Sequence, residues 1–147
     1  MIIRAATAGD ADRVQTIARA AYANYVARMG REPPPMLADF PALIAAGIIV
    51  VIESAGVVCG YMAAWPEPDV YLVDNLAVEP ARQGKGLGRF LIEYAVDEAR
   101  RLNLPALRLY TNVAMTENLA IYRRLGFVET ACVLEDGLHR VHMRLTL

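Results

Sequence analysis

Gly84, Gly86 and Gly88 alternate behind Arg82-Gln83, with Lys85 between the first two and Arg89 just after the third. The apolar run Leu76-Ala77-Val78 leads into this segment, Pro80 breaks the run, and a long amphipathic stretch follows it. A loop of this kind at a helix start turns several unpaired backbone N–H groups toward one point. The helix dipole makes that point favourable for negative charge. Glycines let a bulky phosphate approach the backbone closely. The spacing therefore predicts a pyrophosphate cradle over Gln83, Gly84, Lys85, Gly86, Leu87, Gly88 and Arg89. Backbone amides would do most of the holding, with added charge from Arg82, Lys85 and Arg89; the alternative is a glycine-rich turn without a ligand. Two familiar phosphate loops do not fit. A Walker A loop needs Ser or Thr after Gly-Lys, and here Gly86 follows Lys85. The dinucleotide fingerprint needs a glycine where Arg89 stands.

Two further residues have side chains suited to proton transfer. Asp74 interrupts the apolar strand Val70–Val78, with polar Asn75 beside it. A charge inside a central strand needs a partner or a wet cleft. Simple alternation puts Asp74 on one face with Leu72 and Leu76. It is either a reactive carboxylate or one that orients a loop or pairs with an arginine. Tyr122 opens Tyr122-Arg123-Arg124-Leu125-Gly126-Phe127 on a short helix, four residues after Asn118 and on the same helix face. It is either a proton donor or a tyrosine packed on a sheet. Asn118 either bonds a ligand or satisfies backbone amides at the helix start.

The elements that must position these residues are readable from periodicity and breakers. Residues 1–5 form a short strand. Thr7 and Asp10 make a capping box, and Val14, Ile17, Ala18, Ala21, Tyr22 and Tyr25 recur at helical spacing, which predicts a helix over 8–28. Gly30 and Pro33-Pro34-Pro35 end it, and a second helix is expected over 35–46. Strands follow at 48–53, 57–65 and 70–78, the first two joined by Ala55-Gly56. A helix spans 86–102 with Leu87, Leu91, Tyr94, Ala95 and Leu102 inward and an Asp97–Arg101 pair outward. A strand at 105–111 and a helix at 117–125 capped by Thr116 come next. Strands 127–134 and 138–147 flank the Asp136-Gly137 turn. In the last strand Val141, Met143 and Leu145 face inward, and Arg140, His142 and Arg144 face water.

This order of elements, the Gln83-x-x-Gly86-x-Gly88 loop and the Tyr-x-x-Leu-Gly-Phe motif resemble the GCN5-related N-acetyltransferase (GNAT) superfamily. The resemblance covers the whole chain, with its specific motifs between Leu76 and Phe127. It implies an α/β (α+β) fold with a mixed, mostly antiparallel sheet of about seven strands flanked by four helices, in one domain over 1–147. It implies acetyl-coenzyme A as cosubstrate, with no metal, and direct acetyl transfer to a primary amine. Leu76, Ala77 and Val78 would run beside the pantetheine arm, in a gap where this strand splays from 105–111. Tyr122 would protonate the leaving thiolate, Asp74 would take the proton of the acceptor ammonium, and Asn118 would bond the pantetheine. Glu135 and Glu32 are weaker candidates for the base. The sequence departs from the commoner family pattern at Met115, where many members carry asparagine. Residues 25–40 would line the acceptor pocket through Met29, Arg31, Glu32, Met36 and Phe40. A non-catalytic acyl-coenzyme A sensing module is the alternative function.

Composition bounds the rest. The 147 residues are 56% hydrophobic and 21% charged, enough to bury a core. Fifteen basic and 16 acidic residues give a net charge of -1, which argues against generic nucleic-acid binding. Neither Cys59 nor Cys132 lies at metal-binding spacing, and both are expected as buried thiols in a reducing, cytoplasmic setting. No membrane span and no signal peptide are expected. Family habit suggests a homodimer, with strand 138–147 as an available contact surface.

Overall fold

Seven strands form one sheet in the order β1-β2-β3-β4-β5-β7-β6 in a computed structural model that describes residues 1–147. The strands are β1 (Ile2–Ala5), β2 (Ile49–Ser54), β3 (Val57–Pro66), β4 (Tyr71–Val78), β5 (Ala106–Asn112), β6 (Val128–Glu135) and β7 (Leu138–Thr146). Neighbours run antiparallel except β4 and β5, which are parallel. The hairpins turn where predicted. Ala55-Gly56 and Asp136-Gly137 all take positive φ, the backbone that matches strand twist in two-residue loops.

Helices cover both faces. On one side lie α1 (Ala11–Tyr22), the short α2 (Val26–Met29) and α3 (Phe40–Ala45). They bury Val14, Ile17 and Phe40 against Val51 and Tyr61. On the other side lie α4 (Leu87–Arg101) and α5 (Thr116–Arg124). These pack Leu91, Ala95, Leu119 and Tyr122 on Leu107, Leu109 and Met143.

Several boundaries differ from the sequence expectation for physical reasons. The helix expected over 8–28 is interrupted by a 3₁₀ turn at Ala23–Tyr25. Both Tyr22 and Tyr25 point inward there, and a three-residue turn aligns residues three apart. The helix expected over 35–46 is a 3₁₀ turn at Pro34–Leu37, an extended Ala38, and then α3. Pro41 lacks an N–H and so fits only the first turn, while Asp39 caps it by accepting from Ala42 N at 3.1 Å. Thr116 is the first residue of α5 rather than its cap. Arg101 pairs with Glu98 at 2.7 Å instead of Asp97.

Ile92 and Ala99 complete the inner face of α4, whereas Tyr94 is half-buried and Leu102 exposed. Cys59 is buried as expected, but Cys132 is exposed because it sits on β6, at the edge of the sheet. β7 has both edges paired, so the free edge belongs to β6 and not to the strand expected to offer a contact surface. The face of β7 expected to be wet is largely covered: the Arg140 and His142 side chains are 15% and 16% exposed.

Candidate active site

A bulge at Asp74 creates the site. Ala63 of β3 pairs with Asn75 and Ala64 pairs with Val73, so Asp74 has no partner across the ladder. Bulges bend the strand and re-aim a side chain. Pairing of β4 with β5 stops at the same place, covering only Tyr71–Val73. Beyond it β4 stays with β3 and β5 stays with β7, which opens the gap that the family resemblance implied. The bulge also corrects the expected alternation. Tyr71 and Val73 pack in the layer under α4, and after the bulge Leu76 and Val78 do so. Leu72 and Leu76 therefore fall on opposite faces.

The larger of the two cavities that meet at the site, about 450 Å³, lies between the end of β4, the glycine loop and α5. Leu76, Ala77, Val78, Arg82, Gln83, Gly84, Gly86, Leu87, Gly88, Arg89 and Asn118 all line it, as expected from the sequence. Gly84 and Gly86 have φ of 80° and 82°, and Gly86 is the N-cap of α4. A Cβ at either would meet nothing within 4 Å, so the turn leaves an open approach to the backbone. Gln83 braces the loop by donating from Nε2 to the Val78 carbonyl at 3.1 Å. Tyr22 donates its hydroxyl to the Leu76 carbonyl at 2.9 Å. Both carbonyls expected to meet the pantetheine thus already accept one bond each, and each keeps a second lone pair. Arg82 is bonded to Glu79, which also pairs with Arg13, so its charge is largely answered within the protein. Lys85, between Gly84 and Gly86, is exposed and stands outside the cavity wall. Arg124 of α5, not anticipated, lies on the wall.

The smaller cavity, about 110 Å³, lies on the other side of the gap and holds Asp74. Tyr110 donates its hydroxyl to Asp74 Oδ1 at 2.7 Å, and Asn75 Nδ2 donates to Oδ2 at 3.0 Å. Asn75 is itself fixed by Tyr61, whose hydroxyl donates to Asn75 Oδ1 at 2.6 Å. Asp74 is therefore a carboxylate held by two neutral donors, with no ion pair to neutralise it. Burial first, and then its bond to the Asp74 carboxylate, push the Tyr110 phenol up to about 12. Tyr110 thus stays a donor at neutral pH. The Arg140 guanidinium stacks on the Tyr110 ring, 4.8 Å from its centre.

Of the segment 25–40 expected to line the acceptor pocket, Met29, Pro34, Pro35 and Ala38 line the smaller cavity. Met36 and Phe40 are core residues, Phe40 packing edge-on against Tyr61. Arg31 donates to the Asp136 carbonyl, and Glu32 pairs with Arg19. Glu135 accepts from His142 and Arg140, and the His142 contact above all holds its carboxyl below the ordinary range, a poor setting for a base.

Tyr22, Asn118 and Tyr122 line both cavities and form the wall where the two meet. Burial raises the Tyr122 phenol well above its ordinary value, so it remains protonated. Its ring packs edge-on against Phe127 at 5.7 Å. Its hydroxyl has no protein hydrogen-bond partner and is not fully sealed from solvent. The Asn118 side chain does not cap the helix; it lies 3.9 Å from the Met115 sulfur, which accepts from Thr111 at 3.2 Å.

Sequence reasoning missed Tyr22, Tyr110, Arg124 and Arg140 as wall residues. Tyr110 had one usable signal. It is an aromatic on the polar parity of β5, where Leu107, Leu109 and Thr111 are the buried set. Tyr22 had none, because an inward helix tyrosine reads as core.

Comparison with known proteins agrees with this architecture. A sequence model of the acetyltransferase (GNAT) domain matches residues 45–129. The chain belongs to the GNAT acetyltransferase family. It is 35% identical over 95 residues to an L-methionine sulfoximine/L-methionine sulfone acetyltransferase of Salmonella typhimurium, covering 61% of this chain and 56% of that protein. It is 36% identical over 74 residues to the ribosomal protein bS18-alanine N-acetyltransferase of Escherichia coli, covering 48% of this chain and 50% of that one. The chain thus spans about half the length of the curated relatives it matches. The crystal structure of the PaiA N-acetyltransferase of Thermoplasma acidophilum in complex with coenzyme A superposes with a TM-score of 0.82. It covers 99% of this chain and 98% of that one, at 14% identity, which shows the shared fold.

Proposed function

We propose that this chain is one acetyltransferase domain that uses acetyl-coenzyme A to acetylate a primary amine by direct transfer. The observation that carries the reading is the shared wall: two cavities of different size meet at Tyr122, with Asp74 on the smaller side. The larger cavity and its glycine cradle suit a nucleotide pyrophosphate with an extended arm. When bound there, acetyl-coenzyme A supplies an activated acetyl thioester. Backbone N–H groups of β4 beyond the bulge would polarise the thioester carbonyl, an oxyanion-type role.

An acceptor amine arrives as ammonium, whose pKa near ~10 leaves little free base at pH 7. Asp74, directly or through water, takes that proton. The freed amine forms the new C–N bond as the C–S bond breaks, and the nitrogen gives its second proton to solvent to leave a neutral amide. Tyr122 then gives its proton to the departing thiolate and recovers one from solvent. The buried phenol holds its proton at neutral pH and so still carries it when the sulfur leaves. Asn118, on the shared wall, would steady the arm of the donor.

Both kinds of acceptor in the relatives' names, amino acids and a protein alanine, are amines. A near-neutral charge balance supports a partner other than nucleic acid. No helix is long and apolar enough to cross a membrane. Two free cysteines suit a reducing, cytoplasmic compartment. A homodimer would use the free β6 edge, where Val128 and Leu134 are exposed; sedimentation measures this directly.

Thiol release from acetyl-coenzyme A with a panel of amines tests the central reading. Initial-rate patterns that intersect are expected of direct transfer. Parallel lines would indicate an acyl-enzyme and refute it.

A further inference from the structure

The acceptor cavity carries a second charge that deacylation of a thioester by an amine does not require. Arg140 of β7 lines it. The acids that hold this guanidinium both sit on one of its nitrogens: Nη1 is 3.3 Å from Glu135 and 3.6 Å from Asp136. Nε and Nη2 have no protein hydrogen-bond partner, and neither is sealed from solvent. Two donors of the guanidinium fork are thus left open, on a side chain only 15% exposed. Such a fork matches a carboxylate in two-point geometry.

The opposite charge is close by. Asp74 binds the Tyr110 hydroxyl while Arg140 lies on the face of the same ring. One phenol ring therefore sets the spacing between a carboxylate without an ion pair and a guanidinium whose Nε and Nη2 donors are open. A molecule that answers both must carry an ammonium and a carboxylate a few bonds apart. The cavity also limits what else that molecule carries. Its volume is about 110 Å³, against about 150 Å³ for a protein cavity that takes benzene. Pro34, Pro35 and Ala38 give it an apolar side.

We infer that the acceptor is a small free amino acid, with its ammonium on Asp74 and its carboxylate on the open side of Arg140. This rests on the acetyltransferase reading and narrows it. A peptide N-terminus has a neutral amide where the free acid has its carboxylate, and would leave the Arg140 fork unanswered. A site built for a charged group rejects the analogue that lacks it, since its own polar atoms are then left unpaired.

The test compares L-alanine, L-valine and L-methionine with their amides and with tripeptides that begin with the same residues. Thiol release gives kcat/KM for each, and calorimetry on the same protein gives acetyl-coenzyme A binding. The free acid should exceed its amide by about tenfold to hundredfold, the worth of a charge-assisted contact. The amide's amine is less basic and so better supplied as free base, which makes this a demanding comparison. Arg140→Gln should bring the acid-to-amide ratio toward one.

Amides or tripeptides used as well as the acids would overturn the inference and leave the acetyltransferase reading intact. Donor binding without turnover of any free amino acid would overturn it in the same way. Absence of acetyl-coenzyme A binding would remove the acetyltransferase reading and the inference together. The substrate comparison needs no variant, so a poorly folding Arg140→Gln protein does not rescue the inference.

Discussion

The proposed donor side and the proposed acceptor side of the site are built from different materials. The donor cradle is backbone: one loop of a few residues, two glycines at positive φ and the first turn of α4. The acceptor side is side chains gathered from far apart: Tyr61 on β3, Asp74 and Asn75 on β4, Tyr110 on β5 and Arg140 on β7. A backbone site tolerates side-chain change and depends on conformation. A side-chain site depends on single atoms and on what holds them. The same fold can thus keep one donor while the acceptor varies.

The largest expected effect breaks the donor side through conformation alone. Gly86 sits at φ 82°, and a β-branched residue there is a steric outlier costing about 1–2 kcal/mol. Gly86→Val should abolish measurable acetyl-coenzyme A binding by calorimetry while circular dichroism stays native. On the acceptor side, Asp74→Asn keeps the shape and removes the charge. It should lower kcat/KM for the amine by about 10²–10⁴, the usual range for a lost acid or base, with donor affinity unchanged.

Tyr122→Phe at the shared wall should lower kcat by about 10² with donor binding nearly intact. The pH profile adds a sign. Burial raises the Tyr122 pKa, so the acid form persists above the ordinary phenol value, and the rate should show no fall assignable to tyrosine ionisation up to about pH 10. Tyr110→Phe removes one of the two bonds on Asp74. It should cost about fivefold to tenfold in kcat/KM, the equivalent of about 1–1.5 kcal/mol. The smallest change is expected at Lys85→Ala. That side chain is exposed and off the cavity wall, so the donor Kd should move by no more than about twofold.

How far the sequence could be read follows the same division. Loops and helix starts are local, so residues 82–89 announced their conformation through glycine spacing and Pro80. Tyr122 and Asn118 read together as candidates because one helix face carries both, and both line the two cavities. The gap beside β4 was implied only by family resemblance. What opens it is a bulge, and a bulge depends on the register between two strands. Asp74 stood out as a charge in an apolar strand, yet its face was misread because alternation fails across the bulge. The Tyr110 and Arg140 partners depend on strand order, with β7 inserted between β5 and β6, which no single segment encodes. Of residues 25–40, Met29, Pro34, Pro35 and Ala38 line the smaller cavity, whereas Met36 and Phe40 do not. Met36, in the 3₁₀ turn, and Phe40, the first residue of α3, are apolar side chains that the fold used for its core.

Calorimetric titration decides whether the larger cavity is a coenzyme A donor site. Purified protein would be titrated with acetyl-coenzyme A, with free coenzyme A and with NADH as a control for nucleotide binding in general. The account predicts saturable one-to-one binding of both coenzyme A species and none of NADH. Absence of binding by either coenzyme A species, or equal binding of NADH, would contradict it.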